Sequence, residues 1–598
     1  MKKILFVFLV VTFLIGLSIS ADAAKNDDLI INDNRIFDLG NKYTSLVSAL
    51  YEEETARIGL DGYHYSIGKR DRQSEIKKSK AITSLLEAIY DVEPKNLSPY
   101  ARADYYTLKE LVGLKNFNSN IVNQFSLDPM WYLEPLDTIY EILLKDFLPD
   151  QDRLSYAMKR LEMMPEVLAQ AEDNLTNPSE LSLRVAIEKI NAENENMQSF
   201  TALVKRIYNN KLSKEQIKQL SQRLTTALNK YKTFLQNKLK SGNFSDFRIG
   251  DENYEYLYEE VYSVPTRYGK VSNLLRKNLE EAEADLMLTI QSMKEPPAEE
   301  NEEEAEQTVT PNDYYTLAAK YKNAPEYDKV LRTYSDEVKE SDQFFVSKKL
   351  FPTISLPLVI TPAPPVLRSM PSQVTVYPPV PLAEKQSGDI LVSLPKKLNL
   401  NKKEFNLKYN YGKIKFNAAE FITPGQSLIY SVEPVNSSLL YKLSNDIFYI
   451  HGWMKYALDT AYQNGFFDYE EDKLNYHWFN YKKAVYALVD YELQTKNWDY
   501  NVALEFIKQS GIKEAEAQAE LDYLALRPFD AVSYIIGAQE FNRLKNKYKK
   551  KQGKDFDILT FNTKVLSLGR IPLITLEDSL EKAYAKKEVD SLFNMTYF

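Results

Sequence analysis

Residues 419–429 read AEFITPGQSLI. Glu420 lies four residues before Pro424, and Gln426 follows Gly425. A carboxylate and an amide therefore flank a Pro-Gly break inside an apolar stretch. Carboxylates and imidazoles can hold a metal or move a proton, and this chain has few imidazoles to offer: three histidines, His64, His451 and His477, with no two close in sequence. A helix-borne HExxH zinc site needs two histidines one turn apart, and this sequence cannot build one. It has no cysteine, which excludes a thiol nucleophile, thiolate ligands, a disulfide framework and a lipid-bearing cysteine.

The elements that would position these residues are mostly helices. Residues 152–175 place Leu154, Met158, Leu161, Met164, Leu168, Ala171 and Leu175 at spacings of three and four, as do Ile217, Leu220, Leu224, Leu228, Tyr231, Leu235 and Leu239 over 214–239. Ser213 with Gln216 is a capping-box start for the second run. Met158, Met163 and Met164 could form an adaptable binding surface, but at helical spacing they read as core. Residues 293–311 are acidic and proline-flanked, a surface loop or linker. Residues 352–395 hold ten of the 26 prolines, between short β-branched runs TISLPLVI, QVTVY and DILVSL. Proline keeps such strands from the centre of a sheet and allows edges. Phe405, Leu407 and Tyr409, the turn NYG, then Ile414 and Phe416 predict a β-hairpin just before the motif. Helices are expected over 439–463, 475–493, 499–509, 512–525 and 531–551.

The 598 residues carry a net charge of −9. That balance disfavours nucleic acid, whose phosphates need a basic stripe; the runs KNKYKKKQGK (545–554) and EENEEEAE (299–306) read as solvated faces or linkers. The N-terminus has two lysines, an apolar run from Ile4 to about Ile19, then Ala21-Asp22-Ala23, the pattern of a secretory signal over 1–23; an uncleaved anchor helix is the alternative. No later stretch is long and apolar enough to span a membrane. The expected product is a soluble protein of the periplasm or the medium, with residues 24–598 as one large domain.

The C-terminal stretch LRPFDAVSYIIGAQEFNRLKNKYKKKQGKDFDILTFNTKVLSLGRIPLITLE (526–577), the segment PLVITPAPPVLRSMPSQVTVYPPVP (357–381) and GWMKYAL (452–458) resemble the bacterial domain-of-unknown-function 885 family (DUF885). That family is similar to zinc metallopeptidases of the helical zincin type, such as carboxypeptidase Taq and angiotensin-converting enzyme. The resemblance covers most of the mature chain and implies a mainly α, helical zincin-like body with a small β-sheet (352–417) inserted before the motif and C-terminal helical region (418–598).

The family's metal motif reads HExxPGH, with a further carboxylate ligand in EGWA. Laid on this sequence, the first histidine falls at Glu420, the water-activating glutamate at Phe421, the second histidine at Gln426 and the EGWA glutamate at His451. A later glutamate falls at Leu458, and a downstream histidine at Gln494. Pro424, Gly425, Gly452, Trp453, Tyr456, Trp498, Ser533, Tyr534 and Gly537 match the family's scaffold. Zinc hydrolysis needs three good ligands, an open position and a base. Phenylalanine takes no proton, and glutamine is a poor zinc ligand. Glu433 could serve as a substitute base but reads as a loop carboxylate.

The reading is therefore a pseudoenzyme: no catalytic residue, no metal and no cofactor, with Glu420, Phe421, Gln426 and His451 as degenerate positions. A peptide or protein would bind in the inherited cleft near Tyr534, His451 and Trp453. One alternative is an active metallohydrolase in which Glu420, Gln426 and His451 hold a harder metal. Another is a structural interaction protein whose cleft is filled by Phe421 and Leu458. Tyr534 resembles the tyrosine such peptidases aim at a scissile carbonyl, or serves packing. His64 and His477 lie among aromatics and read as structural.

Overall fold

The computed structural model describes residues 31–585 apart from 60–63, 146, 209–213, 295–308, 322, 365–372, 385, 396–400 and 435–437. The predicted signal segment, Ser213 of the predicted capping box and most of the acidic segment lie outside these residues. The architecture is mainly helical with one three-stranded sheet.

The periodic runs fold as read. Asp150–Asn174 buries Leu154, Met158, Leu161, Met164, Leu168 and Ala171. It packs beside Glu180–Tyr208 and Lys214–Ser241 around an apolar cluster of its own. Met158 and Met164 are core residues and Met163 packs against them. A second cluster joins the helix over 31–50 to Arg72–Tyr90 and Pro99–Asn116, and reaches Leu440 and Leu443.

The principal core lies in the C-terminal half. Ile447–Gln463 crosses Val532–Gln552, and Glu470–Gln494 packs between the latter and Val271–Met293. The crossing depends on two glycines. A Cβ on Gly452 would come within 2.5 Å of the Gly537 backbone, and one on Gly537 within 2.1 Å of the Phe448 carbonyl. Only hydrogen on both sides lets the helices approach this closely.

The sheet runs β1 (Leu358–Pro362), β2 (Val374–Tyr377) and β3 (Gly388–Val392), in the order β1-β3-β2. β1 pairs with β3 in parallel, with Ile360 opposite Ile390. β2 pairs with β3 antiparallel, with Val376 opposite Ile390. All three β-branched runs form strands. DILVSL, however, is central rather than an edge, because the stretch that pairs contains no proline; the prolines sit at the end of β1 and after β2.

The predicted hairpin is not formed. Its residues make two helices, Lys402–Tyr409 and Tyr411–Phe421. Asn401 caps the first by accepting from the N–H groups of Lys403 and Glu404, and Asn410 caps the second by accepting from Lys413 N–H at 2.7 Å. Phe405 and Tyr409 stack at 4.9 Å, one turn apart. With Ile414, Ala418 and Ile422 they bury the face of the sheet that carries Val374, Val376, Ile390 and Val392. The same apolar residues fit periods of two and of about four; the asparagine caps and the sheet beneath select the helix. The helix expected over 439–463 is also divided. Leu439–Leu443 ends before Asp446, whose carboxylate accepts from Tyr449 N–H at 3.0 Å and starts Ile447–Gln463.

Candidate functional site

The motif helix Tyr411–Phe421 places Lys413, Phe416 and Glu420 on one face by their three- and four-residue spacing. It stops at Phe421, and Gln426–Ser431 restarts the chain. Gly425 permits this reversal: a Cβ there would lie 1.8 Å from the Glu420 carbonyl oxygen. Ser427 Oγ donates to the Phe421 carbonyl at 2.9 Å, and Trp453 Nε1 donates to the Pro424 carbonyl at 3.0 Å. Trp453 is wholly buried and presents no surface to a ligand; it pins the motif loop to the histidine helix.

Glu420 is buried, and the Tyr534 hydroxyl donates to its Oε1 at 3.4 Å. Burial pushes its carboxyl up to about 7, against the pull of Lys483 and of the Tyr534 hydrogen bond. His451 stacks on the Tyr534 ring with centroids 4.5 Å apart. Its Nδ1 lies 2.7 Å from Ser533 Oγ and 3.1 Å from the Asp530 carbonyl. Ser533 Oγ already donates to that carbonyl, so Nδ1–H is the donor and Nε2 holds the lone pair of a neutral ring. Burial lowers the His451 pKa and favours this form. The Lys483 ammonium sits 4.0 Å from the Tyr534 ring centroid, at cation–π distance. Glu420, Tyr534, His451 and Lys483 thus make one cluster contributed by four different helices.

Asp490 holds the tyrosine in place. Wholly buried, its carboxyl oxygens accept from the N–H groups of Phe529, Ala531 and Val532 at 3.1, 3.2 and 3.4 Å, and so bind the turn that starts Val532–Gln552. Burial raises its pKa to about 8. Gln494, one turn on, ties the Ala525 carbonyl to the Ile249 N–H. The Lys482 and Lys413 side chains lie near the cluster and remain partly exposed. Lys482 pairs with Glu516, and burial lowers Lys413 to about 7. The sequence reading did not single out Asp490, Lys413, Lys482 or Lys483. Asp490 was detectable as an acid inside the apolar run AVYALVDYELQ; the lysines, on amphipathic helices, gave no such signal.

The remaining motif positions do not join the cluster. Gln426 hydrogen-bonds Tyr430. Phe421 packs partly buried between the principal core and the sheet cluster, and Leu458 is wholly buried. His64 stacks with Tyr156, and its carbonyl accepts from Arg160; His477 Nε2 meets the Tyr462 hydroxyl at 2.9 Å. A metal does not fit Glu420, Gln426 and His451 as the structure places them. The cluster supplies one carboxylate and one imidazole, an ammonium lies alongside, and no group of three His, Asp or Glu able to hold a metal occurs among the described residues.

The model of the family described as bacterial proteins of unknown function (DUF885) matches residues 53–580, and the chain belongs to that family. No curated protein matches it. Among solved structures it is similar to "a putative lipoprotein of unknown function" from Shewanella oneidensis, with a TM-score of 0.70 and 18% identity over 92% of this chain and 100% of that one. It is similar also to "the putative lipoprotein" from Colwellia psychrerythraea, with a TM-score of 0.74 and 14% identity over 93% of this chain and 100% of the other. At these identities the likeness is one of fold. No helix among the described residues is long and apolar enough to cross a membrane.

Proposed function

From membership of that family, we propose that this protein is a metallopeptidase-like pseudoenzyme of the cell envelope. It binds a peptide or protein in the inherited cleft and does not hydrolyse it. The observation that carries this is the fate of the metal positions. Glu420 is engaged by Tyr534, His451 donates to Ser533 and Asp530, Gln426 turns to Tyr430, and Phe421 is packed. Among the described residues no group of three His, Asp or Glu is placed to hold a metal. Lys413 and Lys483 have no carboxylate in ion-pair contact among the described residues and flank Tyr534 and Glu420, so they are available to the carboxylates of a bound chain. The solved neighbours are described as lipoproteins; this sequence has no cysteine to carry a lipid, so export to the periplasm or medium without that anchor is the corresponding location.

The test is calorimetry of the mature protein against peptide pools, with hydrolysis followed in parallel. Binding without cleavage is expected, weakened about tenfold or more in Lys483→Ala, as for the loss of a charge-assisted contact. Cleavage suppressed by a chelator would overturn the reading. A second reading has its own observation: Leu458 lies in the apolar core and Phe421 packs against it, as expected of a filled cleft serving only structure. Absence of both binding and cleavage over the whole pool favours that reading.

A further inference from the structure

Lys413 lies in the first turn of the motif helix Tyr411–Phe421, where Asn410 caps the helix by accepting its N–H. Side chains on a helix lean towards the N-terminus, whose unpaired N–H groups make that end positive. The Lys413 amine is thus set in a field that opposes its charge. Its neighbours add to this. Nζ lies 5.4 Å from the centre of the Tyr314 ring, and Tyr314 stacks on Trp478 at 4.2 Å. Lys482, from the facing helix Glu470–Gln494, sits 5.8 Å from the Trp478 ring and is held charged by Glu516. Two lysines therefore share one aromatic stack. Of the two, Lys482 alone has a carboxylate in ion-pair contact among the described residues.

Lys415, on the same helix, shows what Lys413 lacks: it pairs with Asp472 at 2.7 Å. The acids that act on Lys413 are Glu516, Glu471 and Glu420. Glu516 is taken by Lys482, and Glu420 accepts from Tyr534. Glu471 lies partly buried against Gly412, and burial raises its carboxyl to about 7, so it is a weak counter-charge. Burial, and then the Lys482 charge, lower Lys413 to about 7. The side chain stays partly exposed, so a small molecule can reach it. A desolvated lysine beside a second cation is the arrangement that yields a free amine at neutral pH.

We propose that Lys413 is a nucleophilic amine that condenses with a small aldehyde or ketone to form an imine. Its nitrogen lone pair bonds to the carbonyl carbon, the C=O π bond opens, and one amine hydrogen passes to the oxygen. The hydroxyl then leaves, takes the second amine hydrogen as a proton to become water, and the C=N bond closes. Nothing is oxidised or reduced. The proposal does not rest on the peptide reading: carbonyl reactivity without peptide binding, or peptide binding without carbonyl reactivity, would fault one and leave the other.

The experiment treats the full mature chain at pH 7 with propanal or glyoxylate in the presence of cyanoborohydride, which reduces an imine to a stable secondary amine. Peptide mass spectrometry then gives the labelling rate at each lysine. Lys413 is expected to react about tenfold or more faster than the exposed Lys339 and the paired Lys415. Its neutral fraction at pH 7 exceeds that of an ordinary lysine by roughly three orders of magnitude, and lower basicity and steric cover remove part of that gain. The ratio of Lys413 to Lys339 labelling is expected to fall about tenfold or more between pH 7 and pH 9, as the ordinary amine loses its proton and Lys413 has none left to lose. A higher ratio with glyoxylate than with propanal identifies an anionic carbonyl ligand, and an equal or lower one a neutral ligand. Labelling of Lys413 no faster than Lys339 with either reagent overturns the proposal, as does a ratio that stays constant over that pH range. Both readouts use the unmodified chain, so neither depends on a variant that folds.

Discussion

At the scale of the residue, the cluster around Tyr534 joins one imidazole to one carboxylate, with an ammonium alongside. An imidazole whose Nδ1–H is fixed by a carbonyl has its Nε2 oriented as metal-bound histidines do, yet only one carboxylate accompanies it. Desalted mature protein is therefore expected to carry well below one equivalent of zinc by elemental mass spectrometry. Stoichiometric zinc that is lost in His451→Ala would show the degenerate reading wrong. Restoring one position at a time is expected to do nothing, because ligands without a base bind metal idly and a base without ligands has no activated water. The combined change Glu420→His, Phe421→Glu, Gln426→His and His451→Glu is expected to gain zinc affinity with weak peptidase activity at most. Leu458 and Gln494 stand where the resemblance implies a glutamate and a histidine, and Lys483 sits beside the site, so the partners that would orient ligands would still be missing. Zinc titration and peptide hydrolysis of that variant are the measurements; an unchanged zinc affinity would remove the alignment on which the substitutions rest.

At the scale of the element, two contacts carry the geometry of the site, and each makes a prediction. Gly537→Ala inserts a methyl 2.1 Å from the Phe448 carbonyl. The helices Ile447–Gln463 and Val532–Gln552 must separate, at a cost of about 1–3 kcal/mol or more; a melting temperature equal to the parent's would refute the crossing. Asp490→Ala leaves the N–H groups of Phe529, Ala531 and Val532 without an acceptor in a buried turn, costing about 1–3 kcal/mol for unmet donors. It is expected also to weaken peptide binding by releasing Tyr534, whereas a purely structural Asp490 would change stability alone. How legible these elements were in the sequence follows the physics of each. Long helices such as Asp150–Asn174 declare themselves by period. The break at Pro424-Gly425 was legible because a proline lacks an N–H and a glycine lacks a Cβ. The Phe405–Phe416 stretch was misread because twelve residues fit both periods, and the choice is made by Asn410 and by a sheet surface remote in sequence.

At the scale of the whole molecule, buried acids set how stability depends on pH. Burial raises the carboxyls of Glu193 and Glu420 to about 7 and of Asp490 to about 8, and raises those of Glu110 and Asp446. Each holds a proton in the folded chain that the unfolded chain releases near pH 4. Between these values the folded state binds more protons, so stability falls as pH rises from about 4 towards 7. Two histidines oppose this: burial lowers His451 and His477, whose stabilising neutrality is gained as pH rises through about 6.5. Five carboxyls outweigh two imidazoles over that window. On the acid side the sign reverses. Glu134, buried between Arg57 and Arg70, is held at about 2, so its contribution is full above about pH 4 and lost below it. The stability optimum is therefore expected near pH 5, with a melting temperature on the order of 5 °C higher there than at pH 7. Scanning calorimetry from pH 3 to 8 is the check. The combined variant Glu193→Gln and Glu420→Gln, which removes two of the buried protons, is expected to flatten the fall between pH 5 and 7. A melting temperature that rises across that interval would mean that these carboxyls are charged in the folded protein and compensated by partners other than those described.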